Sequence, residues 1–127
     1  MNGGGQSAFQ LASPPSGHQE QDFLAAWKEG IKACGHPVYF GTELDRVDRY
    51  LKKEPLAPRT KLINSKILEL PISQAALIVA MVGFYNPAEG HRLQAKLNIK
   101  SIANLASALN PRQREIVAQL LINYERW

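Results

Sequence analysis

Cysteine is almost missing from this chain. Cys34 stands alone among 127 residues, which excludes an internal disulfide and any zinc site built from several cysteines. Long apolar runs are missing too, since the stretch from Ala75 to Tyr85 falls well short of the ~20 residues that span a bilayer. Residues 1–17 carry no Lys or Arg and no apolar centre, so the parts of a secretory signal are lacking. These absences give an expectation of a cytoplasmic protein that makes no use of a membrane. No glycine-rich loop joins a strand to a helix, which leaves phosphate-cradling nucleotide folds unsupported. Ligand spacing is lacking as well: Cys34 and His36 are two apart, Glu89 and His91 likewise, and His18 is isolated. None takes the i,i+4 spacing that sets two ligands on one helical face. A Cys34–His36 nucleophile would also need an orienting acid and an oxyanion site that no motif supplies. No metal, cofactor or catalytic residue is therefore expected, and Cys34 reads as a small buried hydrophobe.

What the chain does contain is helical punctuation. Asn86-Pro87 and Asn110-Pro111 each place a side-chain acceptor at a helix N-cap and a ring of fixed φ at the first helical position. They divide the last third into Ser73 to Tyr85, Ala88 to Leu97, Ile99 to Leu109 and Arg112 to Trp127. The segment capped by Ser73 has no polar face from Leu77 to Tyr85, which predicts a helix at the centre of the core. Gly90 weakens the next helix, and Asn98 suits a left-handed turn. Ile99, Ile102, Ala103, Ala106 and Leu109 form the expected inner stripe of the third. Ile116, Val117, Leu120, Leu121 and Tyr124 form that of the last.

Upstream, Phe23, Ala26, Trp27, Ile31 and Cys34 recur at helical spacing, predicting a helix from Gln19 or Glu20 to Cys34 that Gly35 and Pro37 stop. Val38 to Phe40 reads as a short extended link. Thr42 should cap a second helix with Leu44, Val47 and Leu51 inside, and with Asp45–Arg49 and Asp48–Lys52 pairs outside. Leu62 to Leu70 fits a short helix, although its β-branched content also permits a strand. Residues 1–18, rich in Gly, Ser, Pro and Gln, read as a disordered arm. The expected fold is all-α: residues 19–127 as one domain of five to seven short helices around a buried central one.

Charge is uneven along the chain. Residues 1–50 hold four Lys and Arg against six Asp and Glu, a balance of −2, whereas residues 51–127 hold eleven against five, a balance of +6. A basic half points to a phosphate-bearing or acidic partner. The sharpest form of that idea is a helix-turn-helix, with Asn98 as the turn and Ile99 to Leu109 as the reading helix. Lys100, Ser101, Asn104 and Ser107 would face outward, with Arg92 and Lys96 toward the backbone. Arg112 and Arg114 sit at a helix N-terminus, against its dipole, which leaves room for an anion. The segment Leu109-Asn110-Pro111-Arg112-Gln113-Arg114-Glu115-Ile116-Val117 resembles the opening helix of sigma-factor region 4. It spans nine residues of 127, too few to carry a family assignment.

The first expectation is thus a non-enzymatic regulatory or accessory protein that binds DNA through Arg92, Lys96, Lys100, Ser101, Asn104, Arg112 and Arg114. The alternative is an adaptor for a protein partner, using an aromatic face of Phe23, Trp27 and Tyr39. Trp127 either packs on the first helix or contributes to a protein contact such as a homodimer interface.

Overall fold

The computed structural model describes residues 17–127. Six α-helices lie in this span: α1 (Gly17–Cys34), α2 (Thr60–Lys66), α3 (Ile72–Tyr85), α4 (Pro87–Lys96), α5 (Ile102–Ala108) and α6 (Pro111–Asn123). Short 3-10 turns at Pro37–Phe40, Val47–Arg49, Glu54–Leu56 and Ile67–Glu69 link them, and no strand occurs among the described residues. The arm expected over residues 1–18 lies outside them, except for Gly17 and His18, which begin α1.

The all-apolar pattern of α3 has the expected consequence. Ala75 through Val82, eight consecutive residues, are buried. Each of the larger aliphatic side chains there contributes about 1.5–3 kcal/mol by leaving water. Helices α1, α4, α5 and α6 all pack on α3. Helices α1 and α6 also lie against each other, antiparallel: Arg112 meets Glu29 at one end, and Tyr124 meets Phe23 at the other. Pro71 precedes α3 without a side-chain cap, so Ser73 lies inside the first turn and is not the cap.

Both Asn-Pro pairs are caps. The Asn86 side-chain oxygen accepts from the Glu89 N–H at 3.2 Å. Asn110 accepts from the Gln113 N–H at 2.8 Å, while the Gln113 side chain accepts from the Asn110 N–H at 2.9 Å. This closed box satisfies two otherwise orphaned donors. Gly35 ends α1 with φ of 76°, and Asn98 takes φ of 58° after α4. Gly90 turns out to be more than a weak point. A Cβ there would lie 2.5 Å from the Cα of Gly83, so its missing side chain is what lets α3 and α4 touch backbone to backbone.

Several further expectations need correction. Val38 to Phe40 is not extended but part of a 3-10 turn in which Tyr39 and Phe40 are buried. The second helix does not form; residues 43–53 are turns around a single 3-10 segment. Of its proposed inner stripe only Val47 is buried, and Leu44 and Leu51 stand in solvent. Lys28 explains part of this, because its ammonium donates to the Tyr50 carbonyl at 2.6 Å and the Asp48 carbonyl at 3.3 Å. Asp48 pairs with Lys32 of α1 at 2.9 Å, not with Lys52, so tertiary bonds replace the local ladder.

Helix α5 starts at Ile102, not Ile99, because Ser101 is extended and caps it. That change of phase turns Ile102 and Ala103 outward, leaving Ile99 and Leu109 as the buried ends of the segment. On α6 the buried stripe is Gln113, Ile116, Leu120 and Asn123. Leu121 therefore faces solvent, contrary to its expected place inside. Leu62 to Leu70 is helical in two pieces, α2 and then the turn Ile67–Glu69.

Candidate nucleic-acid interface

The aromatic residues proposed as a docking face form the core instead. Trp27 is fully buried, and its indole N–H donates to the Leu56 carbonyl at 2.9 Å. Its ring lies 5.8 Å from Phe23, 5.7 Å from Phe40 and 4.7 Å from Trp127. Phe23 and Tyr39 are also buried. Trp127 is half-buried on this cluster, packed edge-on to Tyr85, with the Lys53 ammonium 5.5 Å above its ring. Phe23, Trp27, Tyr39 and Phe40 lie in the core, and Tyr50, Phe84, Tyr85 and Trp127 pack partly buried against it, which leaves little aromatic surface among the described residues. The sequence could not separate the two uses, because helical spacing marks a face without saying what covers it.

The basic candidates divide differently. Arg92, Lys96, Lys100, Ser101 and Asn104 follow one another along α4, the Asn98 turn and α5, and all five are exposed. Lys96 donates to the Asn64 carbonyl at 3.0 Å. This bond ties α4 to α2, which carries two further exposed cations, Lys61 and Lys66. The sequence reading missed these two as site residues. Their only signal was a run of charge with Lys52, Lys53 and Arg59, and the contact between α2 and α4 is not local.

Few carboxylates offset these cations. Glu89 pairs with Arg92 at 2.6 Å, and Glu69 lies 3.9 Å from Lys66. The Lys66–Glu69 pair stands on a solvated surface, where such contacts are worth little, whereas the Glu89 side chain is only 19% exposed and holds Arg92 more firmly.

Ser101 and Asn104 are less available than expected. The Ser101 hydroxyl accepts from the Asn104 backbone N–H, and the Asn104 side-chain oxygen accepts from the Lys100 N–H, each at 3.1 Å. The two polar groups thus close on the backbone around them. Between them stand Ile102, 81% exposed, and Ala103.

Arg112 and Arg114 belong to other contacts. Arg114 donates to the Ala106 carbonyl at 2.8 Å, which satisfies the end of α5. Arg112 reaches Glu29 at 2.6 Å, in a network with Lys32 and Asp48. The hydrogen bond that Lys32 donates to Asp48 is the main reason that the Lys32 pKa lies above its ordinary value.

No group of three or more His, Cys, Asp or Glu that could hold a metal occurs among the described residues. Cys34 is buried with its thiol on the Ile31 carbonyl, and desolvation pushes its pKa up to about 11. A thiolate so disfavoured is a poor nucleophile at neutral pH. A cleft of about 700 Å³ opens between α1 and residues 51–55, lined by Leu24, Leu51, Pro55 and Trp127 with charges of both signs. No described helix is long and apolar enough to cross a membrane. Comparison with protein-family models, with curated proteins and with solved structures finds no match to this chain.

Proposed function

We propose that this protein is a non-enzymatic regulatory or accessory module that binds nucleic acid through the surface formed by α2, α4 and the start of α5. One observation carries the reading. The Lys96 bond to the Asn64 carbonyl ties α4 to α2, so two adjoining helices carry exposed cations, Lys61 and Lys66 on α2 and Arg92 and Lys96 on α4, with Lys100 following in the chain. Ammonium groups on exposed stems are free to follow a phosphate backbone, and each phosphate neutralised releases counterions. Such a patch supplies affinity and orientation more than sequence selection. Arg112 and Arg114, held at Glu29 and Ala106, take supporting places in this reading.

The test is a salt titration with a labelled DNA duplex followed by fluorescence anisotropy. Binding should weaken along a straight log–log line, with a slope of about −0.9 for each phosphate contacted. Lys61→Glu combined with Lys100→Glu should abolish binding while leaving the melting temperature in place. Lack of binding by the unaltered protein at low salt would sink the proposal.

Recognition of a protein partner remains the second reading, now on a different face. Leu121 and Ile122 are adjacent and exposed on α6, where a partner helix or a second copy has room to pack. Sedimentation at rising concentration, with Leu121→Glu as the control, reads out self-association directly.

A further inference from the structure

We infer that residues 43–52 are a two-state strap on α1: Lys28 holds it open here, and without that hold it closes as a helix that lays Leu51 over Leu24. The segment's sequence and its conformation disagree. Leu44, Val47 and Leu51 stand at helical spacing, and Asp45–Arg49 and Asp48–Lys52 are placed for i,i+4 pairs. Yet the backbone is a series of turns, and Leu51 is 91% exposed, the most exposed large apolar side chain among the described residues.

A helix is already begun in this segment. The Val47 N–H donates to the Glu43 carbonyl at 3.1 Å, an i→i+4 bond, so the costly first turn is in place. The next turn is forestalled from across the fold. The Lys28 ammonium sits on the Asp48 carbonyl, the one that a helix would offer to the Lys52 N–H. It also sits on the carbonyl of Tyr50, a residue held extended at φ −75° and ψ 136°. Lys32 takes the Asp48 carboxylate, which in a helix would face Lys52. Space for the closed state exists as well. Two hollows, of about 700 and 450 Å³, share Gln21, Leu24 and Leu51 in their walls. Val47 is buried, and the turn Val47–Arg49 packs on α1. A helix continued from that anchor carries Leu51, one turn on, to the same side. Burial of Leu51 drives closure, and the Lys28 bonds oppose it.

Hydrogen exchange of the full chain, read by mass spectrometry over residues 43–53, separates two roles of Lys28 by sign. Were Lys28 only a tie on a loop, Lys28→Met would quicken exchange there. For a strap held open, Lys28→Met should slow exchange of the amides of residues 48–52 about tenfold, the equivalent of burying one leucine side chain. Leu51→Asp should cancel that slowing in the double variant, and alone should leave exchange as it is in the unaltered protein. Asp48→Ala releases Lys32 and favours the helix, so it should slow exchange in the same direction; it decides the matter if Lys28→Met lowers the overall melt. Slower exchange in either variant, cancelled by Leu51→Asp, supports the strap. Unchanged or faster exchange in both variants overturns it, and so does slowing that survives Leu51→Asp.

Discussion

Helices α3 and α5 are both built largely from apolar residues, yet α3 buries eight of its side chains and α5 buries none. The difference lies in their neighbours. α3 is surrounded by α1, α4, α5 and α6, whereas α5 packs chiefly on α3 and turns Ile102 and Ala103 to solvent. Apolar composition gives a helix the capacity to be buried; only partners on every side use it. The stability of this domain should therefore be concentrated at α3, and α5 should be free to vary in the service of binding.

Substitutions can break that contrast or sharpen it. Leu77→Ala removes a fully buried side chain from α3 and should cost about 2–5 kcal/mol in urea unfolding, the usual range for a large-to-small core change. A smaller loss would mean that α3 repacks readily and is not the centre of stability.

Cys34, in the same core, gives a test by pH. Its pKa is raised in the folded state, so the unfolded chain loses the thiol proton first as pH rises. Its contribution is whole below pH ~9 and should fade between pH ~9 and ~11, on the order of 2 kcal/mol by the upper end. Cys34→Ala should lack this component, which comparing the alkaline stability curves of the two proteins would isolate.

The contact between α3 and α4 is next in size. Gly90→Ala drives a methyl into the Gly83 backbone and should cost about 1–3 kcal/mol. Gly83→Ala meets nothing within 4 Å and should instead stabilise by up to about 1 kcal/mol, as alanine normally does within a helix. Opposite signs in a thermal melt are the expected result for two glycines that touch. At the edge, Ser101→Ala removes the cap of α5 and should cost about 1 kcal/mol. Ile102→Ala should stay within about 0.5 kcal/mol of the unaltered protein; a larger loss would erase the contrast between the two helices.

The helices most readable in the sequence were those with local causes. The Asn-Pro caps, the Gly35 stop, the left-handed Asn98 and the unbroken apolar run of α3 each act within a few residues, and each is found. Local signals failed where a distant residue decides. Thr42 to Lys52 has the pattern of an amphipathic helix, but Lys28 and Lys32 bind its carbonyls and Asp48 from across the fold. Ile102 looked internal because the stripe was counted from Ile99, and the extended Ser101 breaks that count. For the candidate site, Lys96 and Lys100 were visible as charge. The cations on α2 were not, since the Lys96–Asn64 bond that ties the two segments spans 32 residues. The aromatic face was legible as a stripe and wrong as a surface, since Trp27 finds its acceptor at Leu56, 29 residues away.

The two tryptophans of this chain stand 4.7 Å apart, one sealed in the core and the other half-covered beside Lys53. Indoles so close are an optical gauge that needs no label. Emission from Trp127 should shift when the last residues leave their seat on α1, whereas Trp27 should report only when the whole core opens. Trp127 also packs on Tyr85, the last residue of α3, so a silent tryptophan signal during a DNA titration would mean that this seat stays closed while ligand is bound.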